Sequence, residues 1–117
     1  MRLWPETGLL PLTEVRMRTR TDGYRIPDVV LTLGKPNEPE LTTPPLLCIE
    51  VLSPEERMSR VNMRVQEYLD FGVSEVWVAD PIEKQIWIYR KDGMHQAQGS
   101  VRLDAWGIEI PFSAIFD

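Results

Sequence analysis

One acid inside an apolar run does most to restrict what this chain can fold into. Leu46-Leu47-Cys48-Ile49-Glu50-Val51-Leu52 has the length and branched content of a buried strand. Strand alternation sends Glu50 to the face opposite Ile49 and Val51. A carboxylate in that position is costly unless it is paired, hydrogen-bonded or bound to a metal. A second acid has similar surroundings: Asp28 opens the apolar part of Ile26-Pro27-Asp28-Val29-Val30-Leu31. Two strands with one acid each can bring both carboxylates to one divalent cation.

A chain of 117 residues is enough for one domain, expected to span 1–117. No apolar run approaches the roughly 20 residues of a membrane span, and Met1-Arg2-Leu3-Trp4-Pro5-Glu6 lacks a signal peptide's apolar core. The expectation is a cytoplasmic protein with no membrane partner. Cys48 is the only cysteine and His95 the only histidine, which excludes an internal disulfide and a cysteine zinc cluster. A net charge of −5 argues against non-specific coating of nucleic acid while leaving room for local basic patches.

In chain order, residues 1–12 read as an irregular lead-in with two prolines and a glycine. Thr13 to Arg20 alternates as a half-buried strand that sets Glu14, Arg16, Arg18 and Arg20 on its open side. That stripe is either a solvated polar face or a set of phosphate contacts. After the Thr21-Asp22-Gly23-Tyr24 turn, Arg25 to Leu33 is expected as the antiparallel partner. Proline-rich 34–45 reads as loop, and 46–52 as the central strand. Ser53, Pro54 and Glu56 make a good helix start, with Ser53 as N-cap and Glu56 completing a capping box. The helix should run to Phe71, with Gly72 just past its end. Met58, Val61, Val65, Tyr68 and Leu69 form its apolar arc, and Arg57, Arg60 and Arg64 line one edge of that arc. Glu75–Ala79 and Gln85–Tyr89 read as a hairpin across Asp80-Pro81. Residues 94–106 read as a weak strand pair, and 108–117 as an apolar strand with one helical turn. Trp77 and Trp87 are expected in the core, and Cys48 as a core thiol without chemistry.

Asp28, Glu50, the Val51 carbonyl and a nearby arginine are the parts that metal-dependent phosphodiester cleavage needs. Hard oxygen ligands suit Mg²⁺, and a cation beside them can stabilise the transition state. The same residues also fit a plainer reading, in which Asp28 begins a strand and Glu50 pairs with an arginine such as Arg64.

The order Pro-Asp, then Glu-x-Leu on a hydrophobic strand, resembles the PD-(D/E)XK nuclease superfamily. Three longer blocks are similar to the Uma-two family of putative restriction endonucleases. They are Tyr24-Arg25-Ile26-Pro27-Asp28-Val29, the stretch from Pro45 to Pro54, and the stretch from Tyr68 to Pro81, so the likeness spans about residues 14 to 90, and the run from Ile108 to Phe116 also fits. The resemblance implies an α/β domain with a mixed central sheet flanked by helices, restriction-endonuclease-like. It also implies a Mg²⁺ site, with Mn²⁺ as substitute, held by Asp28 and Glu50 with Val51, and DNA as the substrate. The superfamily's usual lysine, two positions after the glutamate, would fall at Leu52. In this family a lysine lies instead on the following helix, four residues before a tyrosine, and Arg64 stands there relative to Tyr68. Arginine keeps the charge but cannot deprotonate. Family members usually carry an N-terminal helical segment before the first strand, so this chain reads as a short form, and a homodimer is expected to cover the exposed flank. Two functions therefore stand side by side. One is a DNA endonuclease with Asp28, Glu50 and Arg64 as catalytic residues and Arg16, Arg18, Arg57 and Arg60 on DNA. The other is a catalytically impaired nuclease-like module for DNA binding or self-association.

Overall fold

The computed structural model describes residues 8–103 and 107–112. The strands are β1 (Leu9–Leu12), β2 (Arg16–Arg20), β3 (Gly23–Arg25), β4 (Val29–Leu33), β5 (Glu40–Leu41) and β6 (Leu47–Val51), followed by helix α1 (Met58–Phe71). After the helix come β7 (Glu75–Asp80), β8 (Gln85–Arg90), β9 (Gly93–Gln96), β10 (Ser100–Leu103) and β11 (Ile108–Pro111). Among the described residues the main sheet has six strands in the order β1-β4-β6-β7-β8-β9. It is mixed: β6 and β7 run parallel across the α1 crossover, and the other neighbours are antiparallel. The α/β class and the mixed central sheet agree with the sequence reading.

Alternation along the strands builds two cores. Val30, Cys48, Val76 and Val78 face α1 and meet its Val61, Val65, Tyr68 and Leu69. Leu31, Leu47, Trp77, Ala79, Ile86 and Ile88 face the other way, onto the hairpin β10–β11 through Val101, Leu103 and Ile110. Among the described residues, α1 and the small sheet β3-β2-β5, through Met17 and Leu41, thus cover one face, and a β-hairpin covers the other. Trp77 is fully in the hairpin-side core, whereas Trp87 lies half-buried against the helix-side core.

Several local expectations change. Leu9–Leu12, expected within an irregular lead-in, forms edge strand β1 against β4; Met1–Thr7 lie outside the described residues. The stretch from Arg25 to Leu33 is not one strand. Pro27 has no N–H to donate, and the chain breaks there: β3 stays with β2, while β4 joins the main sheet. Residues 34–45 contain β5, which runs parallel to β2 and is held by buried Leu41. Of the expected strand pair over 94–106, residues 104–106 lie outside the described residues, and the described ones do not pair with one another, because β9 takes β8 and β10 takes β11. The helical turn expected after Ile108 falls mostly on 113–117, and Trp106 also lies outside the described residues.

The start of α1 also differs. The Leu52 N–H still reaches the Ala79 carbonyl at 2.8 Å, so strand pairing continues past Val51. Ser53–Glu56 then closes a separate turn, Glu56 N–H to Ser53 C=O at 3.1 Å. The helix begins at Met58 behind an extended Arg57, which makes no side-chain cap. Glu56 is therefore not part of a capping box, and its carboxylate goes to Arg64 instead.

Candidate functional site

Asp28 and Glu50 face each other because of register. Val29 pairs with Ile49 on antiparallel β4 and β6, so the step beyond sets Asp28 opposite Glu50. Alternation puts both on the α1 side, in line with Val30 and Cys48. The two residues hold each other through the backbone. The Asp28 N–H donates to Glu50 Oε2 at 3.2 Å, and the Val51 N–H donates to Asp28 Oδ2 at 2.7 Å.

Glu50 is 5% exposed and buried on the helix side. Two residues one turn apart on α1 reach its other oxygen: the Tyr68 hydroxyl donates to Oε1 at 2.7 Å, and Arg64 Nε donates to it at 3.0 Å. Arg64 Nη2 also donates to Glu56 Oε2 at 2.6 Å. Burial pushes the Glu50 carboxyl above its ordinary range, against the pull of the Tyr68, Asp28 and Arg64 contacts. Burial and the neighbouring Glu50 likewise push the Tyr68 hydroxyl up, so it remains a donor. Burial opposes the charge on Arg64, but Glu56 and Glu50 outweigh it and hold the guanidinium protonated.

These groups wall an open cavity of about 550 Å³. Asp28, Glu50, Val51, Ser53, Glu56, Arg64 and Tyr68 line it together with Tyr24, Arg25 and Ile26 from the β3 side. A family model described as "Putative restriction endonuclease", Uma2, matches residues 2–111. The chain belongs to the Uma2 family. Membership supports a nuclease role. Five chains of solved structures match as well. One is the crystal structure of "a putative nuclease belonging to DUF820" from Anabaena variabilis, 19% identical, with a TM-score of 0.79 over 96% of this chain and 70% of that one. At that identity the likeness carries the fold. No curated protein matches.

Within this Uma2 chain, the residues proposed from sequence are not all in one place. Asp28, Glu50, Val51 and Arg64 line one cavity. Arg57 and Arg60 are exposed at the start of α1, with no ion pair among the described residues. Arg16 and Arg18 stand on β2 in the small sheet β3-β2-β5. Arg18 is paired with Glu40, and the Arg16 guanidinium lies 4.8 Å from the centroid of the Tyr24 ring. Arg16 is therefore tied to a residue of the cavity wall, while Arg18 is engaged elsewhere.

Two members of the site escaped the sequence reading as functional groups. The sequence assigns Glu56 only to a cap, and Tyr68 only to the core and as a marker for position 64. Tyr68 is one helical turn from Arg64, a spacing visible in the sequence, whereas Glu56 lies eight residues before Arg64 and carries no such local signal. Among the described residues no cluster of three or more His, Cys, Asp or Glu is placed to hold a metal ion. A cation here would depend on two carboxylates plus a backbone carbonyl. The donors suit that: Glu50 Oε2 carries only the long Asp28 N–H bond, and Asp28 Oδ1 has no partner among the described residues.

Proposed function

We propose that this chain is a DNA endonuclease that hydrolyses phosphodiester bonds with Mg²⁺, or Mn²⁺ in its place. One observation carries the reading: Asp28 and Glu50 oppose each other across β4 and β6 and share a cavity with Val51 and Arg64. Asp28, Glu50 and the Val51 carbonyl are the oxygen ligands for the cation, which would keep several waters. Such a cation supplies an acidified water and neutralises charge on the phosphate. The chain's own residues do the rest. Tyr68 and the Asp28 N–H orient the Glu50 carboxylate. Arg64 offsets the negative charge that two carboxylates would otherwise present to a phosphate, and, as an arginine, it cannot serve as the base. Exposed Arg57 and Arg60, with Arg16 beside Tyr24, are the candidate contacts to the DNA backbone.

The test is nicking of supercoiled plasmid with Mg²⁺ or Mn²⁺, alongside calorimetric titration of Mn²⁺. Asp28→Ala and Glu50→Ala should each abolish both metal binding and nicking. Arg64→Lys should preserve or raise nicking, and Arg64→Ala should lower it about a hundredfold. A second reading has its own support, because Arg64 is already paired with buried Glu50 as a structural counter-ion would be. On that reading the domain is a non-catalytic module that binds DNA or itself. A wild-type chain that takes up no Mn²⁺ and cuts nothing, yet shifts DNA or runs as a homodimer in light scattering, would establish it.

A further inference from the structure

Arg64 is gripped from two sides. Its Nε meets Glu50 and its Nη2 meets Glu56, at 3.0 and 2.6 Å. In a planar guanidinium these two nitrogens form one edge, and here that edge is divided between two carboxylates. The other edge, made by Nη1 and the second proton of Nη2, is a two-donor fork. Among the described residues Nη1 has no partner. Arg64, Glu50 and Glu56 all line the same cavity.

We propose that Glu56 is a positioning residue, which fixes the plane of the Arg64 guanidinium so that its remaining fork meets the oxygens of a phosphate in the cavity. This rests on the phosphodiester reading above. A single contact at Nε would leave the guanidinium free to pivot about the Nε–H···Oε1 axis. A second contact to a different residue removes that freedom before substrate arrives, which is what pre-organisation requires. It also explains how an arginine serves at this position. A lysine ammonium is a point charge with no plane to hold, so Glu56 has work to do only when residue 64 is an arginine.

Charge and geometry make opposite predictions here. Glu56 is an anion beside a phosphate site, so by charge alone its removal should tighten phosphate binding. If Glu56 positions the fork, its removal should loosen binding. Inorganic phosphate is the probe, followed by the NMR signal of the Arg64 Nε–H group, which is assigned by its loss in Arg64→Lys. In wild type, phosphate should shift this signal. Glu56→Ala should weaken phosphate binding about tenfold, the scale of one charge-assisted hydrogen bond. Glu56→Gln keeps an acceptor oxygen and should stay within about threefold of wild type. In an Arg64→Lys background, adding Glu56→Ala should no longer weaken phosphate binding, because the plane that Glu56 holds is gone and only its repulsive charge is removed. Should Glu56→Ala fail to fold, Glu56→Asp carries the same test: it keeps the charge but loses one methylene of reach, so positioning predicts weaker binding and charge alone predicts none.

The proposal is overturned if Glu56→Ala, or Glu56→Asp in its place, binds phosphate as tightly as wild type. It is equally overturned if the loss persists in the Arg64→Lys background, or if phosphate never moves the Arg64 signal in wild type. These outcomes are separate from the nuclease reading. A chain that binds phosphate through Arg64 but cuts no DNA sinks the endonuclease and keeps the positioning role. A chain that cuts DNA while Glu56→Ala binds phosphate unchanged does the reverse.

Discussion

Removing Arg64 would leave Glu50, which is 5% exposed, without its cation. The cost depends on whether Glu50 is ionised. Its carboxyl titrates above the ordinary value of 4.5, chiefly because it is buried. Below that value both the folded and the unfolded chain hold the proton, and Arg64 has little charge to neutralise. As pH rises past it, the unfolded chain releases its proton first, so folding loses stability until pH has passed the raised native value. Arg64 is one of the groups that limits this loss. Arg64→Ala should therefore cost about 3 kcal/mol at pH 7, as breaking a buried pair does, and clearly less at pH 4. Urea unfolding at the two pH values measures this. An equal loss at both would mean that the side chain contributes through the packing of its stem rather than through its charge.

The C-terminal end of α1 rests on one glycine. Gly72 has φ of 117°, and its N–H reaches the carbonyls of Leu69 and Tyr68 at 3.1 and 3.2 Å, with Val73 N–H following to Tyr68. A Cβ at this position would stand 3.0 Å from Pro44 Cγ. Backbone strain and crowding therefore act together, and Gly72→Ala should cost about 1–2 kcal/mol. A thermal melt reads it, and an unchanged midpoint would show that the turn and Pro44 can both relax. This end of the helix was legible in the sequence because a C-terminal glycine is a local signal. Asp28 and Glu50 were each legible as the one acid of an apolar strand, because alternation is local as well; that β4 lies beside β6 is not local, and the hairpin pattern sets Arg25 to Leu33 against Thr13 to Arg20 instead. The start of α1 was not legible. The Ser-x-x-Glu pattern is a valid cap, but Glu56 is taken by Arg64 eight residues away, and nothing near Ser53 records that competition. Likewise β5 exists only because β2 lies beside it, and the expected strand from Arg25 to Leu33 divides at Pro27 because β3 and β4 belong to different sheets. Residues whose role is set by a distant partner, such as Tyr68 on Glu50, stayed hidden for the same reason.

The main sheet, the helix and the small sheet meet at Cys48. It lies on β6 with 0% exposure, between β4 and β7 and beneath α1. Its Sγ is 3.9 Å from the sulfur of Met17, which comes from the small sheet β3-β2-β5. Burial, with Glu50 two residues away on the same face, pushes the thiol well above its ordinary range, so the reactive thiolate is scarce in the native state. Reagent can reach the sulfur only if α1 or the small sheet leaves the main sheet. Met17 and Leu41 of the small sheet share one core with Val61, Val65 and Tyr68 of the helix, so neither layer can depart without opening that core. Cys48 should therefore report global unfolding. Its reaction with an aromatic disulfide reagent should be slower in the native protein than in urea-unfolded chain by about a thousandfold or more, the protection that even a marginal stability provides. The urea dependence of the labelling free energy should match that of equilibrium unfolding followed by tryptophan fluorescence. A labelling rate that is fast and indifferent to low urea would overturn this, and would mean that the small sheet swings away from β6 as a separate unit.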